Sequence, residues 1–183
     1  MGYSKASQHY QLGFPNQEVR QAFTESLVRH FAPLNPKLSD EMETFLEKQD
    51  LTAFFDLIQQ IFSKFPYQAF SKAQEHTYHG LLLSLLSSMD LEIAAERASS
   101  LGRVDLLVQV PKTTYMIEIK LDSSPEAGLK QISKQQYHGP YLRQGKAIAI
   151  VGLSFPSETA TWAGELLDED GELIRKLAPA AQQ

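Results

Sequence analysis

The sequence predicts an α/β fold whose core runs helix, three-stranded antiparallel meander, helix and parallel strand, with a helical segment in front. Three observations predict it. Residues 104–120 alternate apolar and polar side chains about Pro111-Lys112-Thr113, as a β-hairpin does. Ser124, Pro125 and Glu126 give a cap, a first helical residue and a first-turn acid, and the pattern that follows runs to Tyr137 before Gly139-Pro140 stops it. Lys146 to Gly152, with Ile148, Ile150 and Val151, is a short continuous apolar run, read as a strand buried on both faces. Reached through a helix, that strand lies parallel to the second strand of the hairpin.

Taken in order, residues 1–16 hold little periodicity beyond Tyr10-x-Leu12-x-Phe14. Helical spacing begins at Val19, Phe23, Leu27 and Phe31 and stops at Pro33 and Pro36. Ser39 is the expected N-cap of a helix from Asp40 to Lys48. A second helix, Thr52 to about Lys64, carries Phe54, Phe55, Ile58, Ile61 and Phe62 on one broad apolar face and ends at Pro66. These residues, 1–65, form the N-terminal helical segment, and 66–183 the main domain. A helix from about Tyr67 to Met89 carries Leu81, Leu82, Leu85 and Leu86, with Glu75 near its start. The first strand spans about Leu91 to Ala98, and Gly102 fits the joint to the hairpin. Beyond Phe155, the acidic run Asp168-Glu169-Asp170 with Gly171 reads as a solvated turn.

Composition bounds the function. A chain of 183 residues, 43% hydrophobic and 21% charged, buries one main core. No apolar run reaches the roughly 18 residues of a membrane span, and Met1-Gly2-Tyr3-Ser4-Lys5 lacks a secretory apolar core. There is no cysteine, which excludes disulfides, thiolate metal sites and a cysteine nucleophile, and fits a cytoplasmic protein. The net charge of −5 counts against simple binding of nucleic acid, but residues 103–146 carry seven Lys/Arg against four acids, a local +3.

Hairpin parity selects the candidate site. A two-residue loop, Pro111 and Lys112, places Asp105 opposite Glu118; a four-residue loop places it opposite Lys120; a three-residue loop sends it to the other face. Only the even loops also join the apolar faces, so Asp105, Glu118 and Lys120 form one cluster. Facing carboxylates repel and need a cation, for which a divalent metal with oxygen ligands serves. The plainer reading is a surface network in which Lys120 neutralises both acids. His76 and His79 have the wrong order for an HExxH zinc site. Gln131 and Lys134 lie on the helix entered straight from the site strand, where amides and a lysine suit phosphate contacts.

Asp105, twelve intervening residues, then Glu118-x-Lys120 in an apolar strand resembles the PD-(D/E)xK nuclease superfamily, the restriction-endonuclease-like fold. Glu75, Gly102-Arg103-x-Asp105, Gln131-Ile132 and Tyr137 are similar to the bacterial branch whose nuclease domain follows an AAA-ATPase-like domain, over about residues 66–155. Leu12-Gly13-Phe14-Pro15-Asn16 resembles the exit from that upstream domain, which implies a fragment or a short member. No GxxxxGK[ST] loop is present. The resemblance implies a Mg²⁺- or Mn²⁺-dependent nuclease acting on DNA rather than RNA. Glu75, Asp105, Glu118 and the Ile119 carbonyl would bind metal, Lys120 would act on water or transition-state charge, and Gln131 and Tyr137 would position the reacting groups. A nuclease-like module that only binds nucleic acid or protein is the other class to be tested, and residues 17–65 would then be its docking surface.

Overall fold

The computed structural model describes residues 18–19, 22, 26, 36–64, 75–87, 92–99, 102–155 and 160–179. Among the described residues, the helices α1 (Pro36–Glu47), α2 (Leu51–Phe62) and α3 (Glu75–Leu86) precede the sheet. The meander follows as β1 (Glu92–Ser99), β2 (Gly102–Gln109) and β3 (Thr113–Leu121), then α4 (Pro125–Gln135), a 3₁₀ turn at Gly139–Tyr141 and β4 (Ala147–Phe155). The chain continues into β5 (Thr161–Leu167) and β6 (Leu173–Leu177). One sheet contains all six strands in sequence order. Only β3 and β4 pair in parallel; the others are antiparallel. The expected core order is present, and β5 and β6 extend the sheet beyond it.

Local chemistry sets the helix boundaries. The first helix begins at Pro36, not Asp40, because proline is tolerated at a first helical position whose N–H has no partner. Ser39 therefore lies inside α1 and caps nothing. Asp50 caps α2, its carboxylate accepting from Ala53 N at 3.0 Å. Gln49 reverses the chain between the two helices with φ of 58°. Ser124 does occupy the cap position of α4, but its hydroxyl bonds to the Glu126 carboxylate, holding that acid below its ordinary pKa.

The sheet separates two apolar layers. On one face Met42, Leu46, Phe54, Phe55, Ile58 and Phe62 of α1 and α2, with Leu81, Leu82 and Leu85 of α3, pack against Leu106, Val108, Tyr115, Ile117, Ile119 and Phe155. Aromatic rings tie this layer together: Phe55 meets Trp162 at 5.3 Å, Phe62 meets Phe155 at 6.0 Å and Tyr78 stacks on Phe155 at 4.1 Å. Each such buried ring contributes about 2 to 3 kcal/mol of transfer free energy. On the other face Ile132 and Tyr137 cover Leu107, Met116, Ile148, Ile150 and Leu167. No described helix is long and apolar enough to cross a membrane.

Candidate active site

The hairpin pairs Leu106 with Ile117, Leu107 with Met116, Val108 with Tyr115 and Gln109 with Thr114. Val110 N donates to Thr113 O at 3.0 Å, leaving Pro111 and Lys112 as the two-residue turn. One further step would set Asp105 opposite Glu118. The main-chain ladder stops short of that step, and the Asp105 side chain takes over: Oδ2 accepts from Ile119 N at 2.8 Å. The third strand meanwhile stays paired with β4, Glu118 opposite Gly152 and Lys120 opposite Ser154. The antiparallel strands β2 and β3 thus part at Asp105. Because an extended residue's N–H and C=O point to the same side, the Ile119 carbonyl faces the same gap.

Strand alternation puts Glu118 and Lys120 on the α4 side, away from Ile117 and Ile119. Glu118 is 2% exposed. Its Oε1 accepts from Lys120 Nζ at 3.0 Å and from Gln131 Nε2 at 2.5 Å. Its Oε2 is buried and has no hydrogen-bond partner among the described residues. Burial, and after it the charge of Asp105, push the Glu118 carboxyl up to about 7, with Lys120 pulling the other way. A carboxylate held half-satisfied beside a second carboxylate costs free energy that a cation would remove.

Two glycines let α4 approach closely enough for Gln131 to reach Glu118. Gly152 lies under Pro125 and Leu129, and a Cβ there would sit 1.8 Å from Pro125 O. Gly128 faces back, its own added Cβ falling 3.0 Å from Gly152 Cα and 3.1 Å from Glu118 O. Ser154 donates to Ser123 O, fixing the loop that enters the helix. The sequence reading took Gly152 only as the end of a strand that in fact runs on to Phe155, and did not single out Gly128. A glycine inside an apolar strand is a legible sign of close backbone approach, and it could have found Gly152.

Of the sequence-selected residues, Asp105, Glu118, Lys120, Gln131 and the Ile119 backbone come together. Tyr137 lies in the apolar layer, 7% exposed, past the end of α4 and the left-handed Gln136 that terminates it. Glu75 opens α3, but its side chain, like that of His76, lies outside the described residues. Among the described residues no group of three or more His, Asp or Glu side chains could hold a metal ion. The side chain of His79 sits 3.0 Å from Asp105 O through Nε2. A carbonyl only accepts, so that nitrogen carries the proton and has no lone pair for zinc.

Residues 73–165 match the profile of the PD-(D/E)XK nuclease superfamily. A curated protein of Azotobacter chroococcum mcd 1, described as an uncharacterized protein in the vnfD 5' region, is 24% identical over 175 residues, 91% of this chain and 34% of that protein. The chain thus spans about a third of that relative's length. No solved structure matches. With half of its residues under one family profile and the Asp105, Glu118-x-Lys120 arrangement assembled at the parting of two strands, the chain belongs to the PD-(D/E)XK nuclease superfamily.

Proposed function

We propose that this chain hydrolyses phosphodiester bonds of DNA with a bound Mg²⁺ or Mn²⁺ ion. The observation that carries the reading is the buried, unpartnered Oε2 of Glu118 beside the Asp105 carboxylate. Oxygen donors without sulfur or available imidazole suit a hard cation. Asp105, Glu118 and the Ile119 carbonyl would hold it, with Glu75 in an outer or shared position. When bound, the ion supplies Lewis acidity toward a phosphoryl oxygen and lowers the pKa of water.

The chain's own residues do the rest. Asp105 is fixed by the Ile119 amide, and Gln131 fixes Glu118, so the carboxylates are aimed before substrate arrives. Lys120 supplies a cation on the same face, suited to orienting the attacking water or to neutralising charge on the pentacovalent transition state. Tyr137 supports the seat of α4 in the apolar layer. Phe54, Phe55 and Phe62, which a docking module would present, are buried within this chain, which favours the enzyme over the binding module. An upstream ATPase-like domain and self-association belong to the same proposal, as does action in the cytoplasm.

The test is cleavage of plasmid and single-stranded DNA with Mg²⁺, Mn²⁺ or EDTA by the native chain, Asp105→Ala and Lys120→Ala. Metal-dependent cutting lost in both variants supports the assignment. A folded native chain that neither cuts nor binds Mn²⁺ in calorimetry overturns it.

A further inference from the structure

The Asp105 backbone is unusual for a residue in the middle of a sheet. Among the described residues neither ladder pairs it: β1 matches Ala95 with Leu106 and Arg97 with Val104, and β3 stops at Leu106. The faces also change there. Residues two apart on a regular strand share a face, yet Leu106 packs on the α1–α3 side and Val104 on the α4 side. The ladders are thus interrupted at Asp105, and its peptide takes partners from outside them. The Ile119 amide satisfies the carboxylate, at 2.8 Å. The His79 imidazole satisfies the carbonyl, at 3.0 Å.

The helix that carries that imidazole is anchored around it. Tyr78 stacks on Phe155 at 4.1 Å, Leu81 and Leu82 are fully buried, and α3 packs on β2 and β3. A half-buried carbonyl left without a donor would rotate its peptide toward another one, and rotating the peptide swings the attached side chain. We infer that His79 is a positioning residue: from the opposite face of the sheet it fixes the Asp105 peptide and so aims the Asp105 carboxylate into the site. The consequence for metal binding rests on the nuclease reading above; the consequence for the Asp105–Ile119 contact does not.

The experiment uses His79→Leu, which fills the space but donates nothing, and His79→Gln, whose amide can donate to the same carbonyl. Amide hydrogen exchange of the metal-free chain is followed by NMR at Ile119, with Ile150 in the β3–β4 layer as control and Asp105→Ala as the unprotected limit. The expected result is that exchange at Ile119 rises roughly tenfold in His79→Leu, stays within about threefold of native in His79→Gln, and leaves Ile150 unchanged, the pattern of one lost local hydrogen bond. Native-like exchange at Ile119 in His79→Leu overturns the inference, as does equal acceleration in both variants together with Ile150. Should His79→Leu not fold, His79→Met, which likewise donates nothing, takes its place under the same criteria. Mn²⁺ titration of the same samples is expected to weaken about tenfold in His79→Leu and not in His79→Gln. A native chain that takes up no Mn²⁺ would sink the nuclease reading while exchange still judges His79.

Discussion

Replacing Gly152 by alanine should dislodge the helix that completes the site. The new methyl would lie 1.8 Å from Pro125 O, 2.8 Å from Pro125 C and 3.1 Å from Leu129 N, where ordinary contact begins at 3.4 Å. All of these are backbone atoms of the first turns of α4, so no side chain can rotate aside. The helix must lift by roughly 1.6 Å, the difference between 1.8 and 3.4 Å. Gln131, now 2.5 Å from Glu118 Oε1, then falls out of hydrogen-bond range. Overpacking of this kind costs about 1 to 3 kcal/mol, and rigid partners place it at the upper end. For a chain of this size, Tm should drop by about 5 to 10 °C. Gly128→Ala is the internal control. Its methyl meets atoms at 3.0 to 3.3 Å, a few tenths too close, and alanine recovers up to about 1 kcal/mol of helix propensity, so Tm should stay within about 3 °C of native. Thermal melts of the two variants, with DNA cleavage measured alongside, decide the matter. Gly152→Ala melting and cutting like the native chain would refute the reasoning.

Three further outcomes are expected. Glu118 has its folded pKa raised from 4.5 to about 7, so between those values the native state keeps a proton that the unfolded chain has lost. Stability is therefore full below about pH 4.5 and falls by up to about 3 kcal/mol as pH rises through 7. Metal-free urea melts at pH 5 and pH 8 should show the fall in the native chain and not in Glu118→Gln; a native chain with flat stability would count against the burial of this charge. Lys120→Ala should lower the rate of DNA cleavage by about 10² to 10³ in single-turnover assays, with Tm within a few degrees of native. Unaltered cleavage would remove Lys120 from the mechanism. Phe55→Ala, which strips a 2% exposed ring from Trp162, should cost about 3 to 5 kcal/mol in a single melting transition. A separate early transition would show that α1 and α2 fold apart from the sheet.

The hairpin and its site were legible because the chemistry was local. A Pro-Lys turn and strict alternation leave few registers, and the two-residue loop is the one that sets Asp105 toward Glu118. The start of α4 was equally plain from Ser124, Pro125 and Glu126. The strand β5 was hidden by a glycine. Trp162, Gly164 and Leu166 do alternate toward the core, but Gly164 breaks the apolar pattern because a Cβ there would meet Ile150 O at 3.1 Å. The neighbouring β6 carries Leu173 and Ile174 side by side, 52% and 55% exposed, with no alternation to read. His79 was weighed only as a metal ligand, since no spacing rule tells that a helix side chain will meet a strand carbonyl twenty-six residues away. The placement of Val104 in the α4-side layer, apart from Leu106 and Val108, was likewise invisible to strand alternation.

The bond from Ile119 N to Asp105 Oδ2 ends a β-ladder with a side chain in place of main chain. The rotamer freedom of this aspartate is therefore lost when the sheet folds and is not lost again on encountering a cation. If Asp105 holds a metal ion as proposed, its capture would carry little entropic penalty and need no closing motion, so the metal-free and loaded forms of this end of the sheet should superimpose. Association at this carboxylate would then be limited by shedding water from the incoming ion, not by rearrangement of the chain.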